Sequence, residues 1–144
     1  MCYVMYIASD SRLPMIPFDE FSPGFCVEPL EEEEDVVRKH FSRPYVYRVG
    51  AHTCCACGFQ LHNGCSSEDA EAVAGSRSAL LLYLQKALEN RSAVELFVCW
   101  YDSLETSPAR RETVTPERLI AADGLLSSVH AEAAAGEFYV VTAE

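Results

Sequence analysis

The chain has 144 residues, 49% of them hydrophobic and 10% aromatic, enough to bury an ordinary core without metal or disulfides merely to fold. Its 22 acidic and 11 basic residues give a net charge of −11, which repels a phosphate backbone and disfavours nucleic acid as a partner. The same charge suits solubility and leaves a protein partner open, including a cationic or metal-delivering one.

The opening Met1–Ile7 lacks a basic region and a cleavage site of the secretory kind, and no run approaches the roughly 18 apolar residues of a membrane span. The expectation is a cytoplasmic protein with no membrane association. Thiols stay reduced in that compartment, and seven cysteines cannot all pair, so clustered cysteines point to metal or redox chemistry before structural disulfides.

In chain order, residues 2–8 read as a strand carrying Tyr3, Val4, Tyr6 and Ile7. Cys2 would become terminal on loss of Met1, as in N-terminal-nucleophile hydrolases and in crosslinking domains that open Met-Cys-Gly. Here Tyr3 follows instead of Gly, and the plainer expectation is a small apolar residue in an edge or core strand. Pro14, Pro17, Pro23 and Gly24 make 9–24 an ordered loop, expected to lie over the core through Leu13, Met15, Ile16, Phe18 and Phe21. Residues 25–28 read as a short strand with Cys26 packed as a small hydrophobe.

Five acids, Glu31–Asp35, suit the start of a helix over 30–42, and Arg38, Lys39 and His40 suit its end. Adjacent acids point around such a helix and should not converge on a cation, and His40 should be solvated. Val36, Val37 and Phe41 supply its apolar face. Tyr45–Val49 alternates as a strand after Pro44.

The longest helix is expected over 67–90, capped by Ser66 or Ser67, with Val73, Ala74, Arg77, Leu80, Leu81, Leu84 and Leu88 at three-and-four spacing. Residues 94–101 read as a buried strand with Cys99 and Trp100 in the core. A strand over 112–115, a short helix near 116–122 with Thr115 as cap and Pro116 in its first turn, and a closing strand over 138–141 follow. His130 is expected to be exposed. The order predicts one domain over 1–144 of the α+β class, a sandwich of a largely antiparallel sheet with two or three helices, mixed α/β being the alternative.

Between the third strand and the longest helix lies the chemistry-bearing stretch, residues 49–65, with four of the seven cysteines and two of the four histidines. Its candidate metal ligands are His52, Cys54, Cys55, Cys57, His62 and Cys65. Thiolates with imidazole suit zinc, and two or three thiolates alone suit copper(I). Cys54 and Cys57 converge in a tight turn, whereas an extended chain sends His52 and Cys54 one way and Cys55 and Cys57 the other. A paired C-x-x-C pattern is absent, and plant-type iron–sulfur spacing does not match.

Two readings of other classes use the same chain. A cysteine-dependent thiol or redox enzyme would take Cys54 or Cys57 as nucleophile, with His52 or His62 lowering its pKa. An acidic regulatory or interaction protein would carry incidental cysteines.

The opening Met1-Cys2 and the segment Gly50-Ala51-His52-Thr53-x-Cys55-x-Cys57-Gly58-Phe59 resemble a family of small uncharacterised bacterial proteins with a His-Thr-x-Cys-Gly-Cys-Gly-Phe core. This chain departs from that core with Ala56 in place of Gly, and it adds a thiol at Cys54. The resemblance favours His52, Cys55 and Cys57 as site residues, makes Cys54 incidental and implies no activity.

Overall fold

Six strands form one sheet in the order β2-β3-β1-β4-β6-β5 in the computed structural model, which is described over residues 2–60, 66–121 and 136–144. The strands are β1 (Tyr3–Ser9), β2 (Cys26–Pro29), β3 (Tyr45–Gly50), β4 (Val94–Trp100), β5 (Arg110–Val114) and β6 (Glu137–Val141). All neighbours pair antiparallel except β5 and β6, which run parallel. With its packed helices this is an α+β fold, as the element order predicts.

β1 is central and every residue of it is buried. Alternation then divides its side chains between two cores. Tyr3, Met5 and Ile7 join Leu96, Val98, Tyr139 and the long helix α1 (Ser67–Leu88) on one face. Val4, Tyr6 and Ala8 join Phe97, Cys99, Phe138 and Val37 on the other. Cys26 and Cys99 are 1% and 0% exposed, packed as expected of small hydrophobes.

Ser66 caps α1 reciprocally: its hydroxyl accepts the Asp69 amide, and the Asp69 carboxylate accepts the Ser66 amide. The buried face of α1 is Val73, Ser76, Arg77, Leu80, Tyr83, Leu84, Ala87 and Leu88. Ala74 is exposed, and Ser76 takes the place that the apolar pattern gave it. Thr115 caps α2 (Pro116–Ile120), with proline in its first turn.

Residues Glu32–His40 form a 3₁₀ helix, not the α-helix that the charge pattern suggested. At three residues per turn, positions three apart eclipse, so Glu34, Val37 and His40 make one buried row. His40 is therefore not solvated. Its ring lies 4.6 Å from Phe97, and Nε2 is 2.7 Å from the Leu104 carbonyl oxygen.

The same row corrects the expectation that the acidic run points apart. Glu31 and Glu34 both reach Arg48, at 3.4 and 3.0 Å, and Glu28 of β2 reaches it at 2.9 Å. Sheet register explains the convergence. Glu28, Arg48 and Tyr6 stand opposite one another on β2, β3 and β1, and the Tyr6 hydroxyl donates to Glu34 at 2.6 Å.

The loop before β2 also differs from expectation. Leu13 is buried, but Met15, Ile16 and Phe21 are exposed. Hydrogen bonds hold this loop instead: the Leu13 amide to the Tyr47 hydroxyl, the Tyr83 hydroxyl to the Pro14 carbonyl, and the Ile16–Val27 bridge. His130 lies outside the described residues.

Candidate metal centre

β3 ends at Gly50, and the chain turns back at once. The Cys54 amide donates to the Ala51 carbonyl at 2.9 Å, and the Ala51 amide donates to the Cys55 carbonyl at 3.0 Å. Cys54 sits in the left-handed region at φ 70°, a backbone conformation that glycine adopts more readily than cysteine. A short 3₁₀ helix, Ala56–Phe59, follows, with Cys55 just before it and Cys57 within it.

Two glycines let this loop fold so tightly. A Cβ at Gly50 would stand 2.5 Å from the Cys54 carbonyl oxygen and 2.8 Å from the Cys26 sulfur. At Gly58 it would meet the Ala51 Cβ at 2.7 Å and His52 and Thr53 at 2.8 Å. The Thr53 hydroxyl then ties the two halves, accepting the Gly58 amide at 3.0 Å and donating to the Cys55 carbonyl at 2.9 Å.

Side chains of α1 hold the loop from behind. Ser76 Oγ accepts the His52 amide at 3.0 Å and lies 2.9 Å from His52 Nδ1. Buried Arg77 donates to the Phe59 carbonyl. On the strand side, the Tyr3 amide donates to the Cys57 sulfur at 3.3 Å.

That contact brings the start of β1 against the loop. Cys2, Cys55 and Cys57 place their sulfurs within 4.8 Å of one another. The Tyr101 amide donates to the Cys2 carbonyl at 3.0 Å and fixes Cys2 from the far side. Cys2 is exposed, and the other two are half-buried.

Cys55 and Cys57 come together, with Cys2 as the third sulfur. His52 is engaged with Ser76, and Cys54 stands outside the three-sulfur group. His62 and Cys65 lie outside the described residues. The missed residue is Cys2, 53 positions before Cys55 in the chain. Antiparallel pairing of β1 with β3, Met5 opposite Val49, sets the start of one strand beside the end of the other. That pairing, rather than any local motif, is the signal that could have found it.

The three thiols differ electrostatically. Burial works against ionisation of Cys55. Hydrogen bonding with Thr53, with the Cys57 amide and with the Cys57 and Cys2 thiols outweighs it and lowers its pKa. Cys57 is pushed up to about 11, chiefly by burial and further by its neighbour Cys55. Ionisation is thereby made easier at Cys55 and harder at Cys57.

Burial also raises Cys26 to about 11 and Cys99 to about 12. An unfolded cysteine titrates near about 8.5. These three thiols hold protons in the folded chain that the unfolded chain loses, so their contribution is complete below pH 8.5 and disappears as pH rises through 11 to 12. Cys55 has the opposite sign and partly offsets them. The urea midpoint of chelator-treated protein should fall steadily above about pH 8.5. A midpoint flat to pH 11 would contradict this assignment of burial.

A cavity of about 480 Å³ opens beside the thiols. Cys2, Thr53, Cys54 and Cys55 line it together with Val4, Val49, Glu31, Glu34, Arg48, Tyr101 and Asp102.

No family model matches the chain, and no curated protein or solved structure gives a significant match. No helix of the described residues is long and apolar enough to cross a membrane.

Proposed function

We propose that the chain is a metal-binding protein whose centre is formed by Cys2, Cys55 and Cys57, with zinc the first candidate and copper(I) the second. The observation that carries this reading is the meeting of three sulfurs within 4.8 Å from two distant segments. Thiolates on one zinc ion, at about 2.3 Å each, lie roughly 3.8 Å apart, so side-chain movements of under about 1 Å would close the group on an ion. The Tyr3 amide on the Cys57 sulfur and the Cys57 amide on Cys55 are the outer contacts that orient thiolate ligands. Three thiolates alone satisfy copper(I), whereas zinc takes a fourth donor.

The test is zinc affinity in single variants. Cys2→Ser should lower it by at least about ten-fold, because it removes a ligand. Cys54→Gly should leave it unchanged. The latter should also stabilise the fold by about 1 kcal/mol, since glycine accepts the left-handed backbone without strain. Equal losses in both variants would remove Cys2 from the centre.

The second reading is a thiol or redox enzyme on the same residues. The lowered pKa of Cys55, with two thiols beside it, favours that reading. Thiol reactivity in protein that binds no metal would support it over the first.

A further inference from the structure

Resting on the metal-centre reading, we propose that the centre takes its fourth ligand from the adjoining cavity, and that this ligand is a small thiol carrying a positive charge. Cys2 and Cys55 both line the cavity, whereas Cys57 receives the Tyr3 amide and does not. An ion held by the three sulfurs would therefore have this space beside two of its ligands. At about 480 Å³ the cavity suits a small molecule. Among the described residues, no fourth His, Cys, Asp or Glu joins the three-sulfur group.

The donor class follows from the centre, since an ion selected by three thiolates favours a fourth soft donor. The charge class follows from the rest of the lining. Three carboxylates, Glu31, Glu34 and Asp102, face the cavity with one guanidinium, Arg48. That guanidinium is already engaged by Glu28, Glu31 and Glu34. Glu34 is buried and also holds the Tyr6 hydroxyl, so Glu31 and Asp102, both exposed, are the carboxylates an incoming cation meets. The half-exposed ring of Tyr101 adds an aromatic face for the same charge. On binding, the ligand's S–H proton passes to solvent, its sulfur forms the bond to the metal, and its cationic end lies against these groups. No oxidation is involved.

The test uses protein loaded with cobalt(II), whose absorption reports its ligands, titrated with thiocholine, 2-mercaptoethanol and 3-mercaptopropionate. Thiocholine's quaternary nitrogen cannot coordinate, so its charge is read without chelation. Affinities are compared per thiolate, because a neighbouring charge alters a thiol's own pKa. Thiocholine should bind roughly five- to ten-fold more tightly than the neutral thiol, with the anionic thiol weakest. Asp102→Asn with Glu31→Gln should remove that preference while cobalt affinity stays the same.

Cobalt that binds but ignores all three thiols would mean that the chain itself closes the fourth position, and would overturn this inference alone. Equal affinity for the three thiols, or preference for the anionic one, would also overturn it alone. Failure to bind cobalt at all would overturn the metal-centre reading with it.

Discussion

Arg48→Met should be the most damaging single substitution for stability, costing about 3–5 kcal/mol. Glu34 is 1% exposed, and Arg48 is its ion-pair partner at 3.0 Å. Methionine keeps the apolar stem but removes the charge, leaving Glu34 with the Tyr6 hydroxyl and the Glu31 amide. Removing one partner of a buried pair is far costlier than removing both, because the remaining charge stays out of water. Adding Glu34→Gln to Arg48→Met should therefore recover part of the loss, a coupling that a double-mutant cycle measures directly. The single variant should melt roughly 10 °C lower. A loss under about 1 kcal/mol, typical of surface pairs, would show that Arg48 is merely a solvated cation.

The second large effect concerns the metal. Cys55→Ser with Cys57→Ser should abolish stoichiometric binding, with zinc affinity falling by more than about 100-fold, because two of three thiolates go. The chelated double variant should nevertheless fold like the chelated parent. The loop is held by Thr53, Ser76, Arg77 and the close approaches at Gly50 and Gly58, none of which requires either sulfur. Equilibrium competition with a chromophoric chelator and far-UV circular dichroism separate the two outcomes. Retained tight binding in a folded double variant would move the site elsewhere.

Local signals in the sequence carried much of this fold. The strands, the cap at Ser66 and the Thr115-Pro116 helix start rest on residues adjacent in the chain, where propensity and spacing act. Errors arose where a tertiary partner decided the outcome. Glu32–His40 reads as α-helical by charge, yet Glu34 must meet Arg48 and Tyr6, and Val37 and His40 pack below it at three-residue spacing. Met15 and Phe21 look like core residues in a list of apolar side chains, but backbone hydrogen bonds hold their loop and leave them exposed.

The candidate site divides in the same way. Cys55 and Cys57 were legible because their spacing is local. Cys2 was not, because only strand pairing brings residue 2 to residue 55. His52 sits within the motif and looks like a ligand, but it is not among the groups that meet within 4.8 Å, and a serine on α1 holds its Nδ1. That serine lies within a helix whose pattern is set by its apolar residues, so nothing local marks it as the partner of a histidine.

The most direct measurement is metal content by elemental analysis of protein purified without an affinity tag or chelator, paired with a free-thiol count before and after chelation. Near one zinc or copper per chain is expected, with Cys2, Cys55 and Cys57 protected from a thiol reagent until the metal is removed. Metal-free protein in which those three cysteines react freely from the start would contradict it.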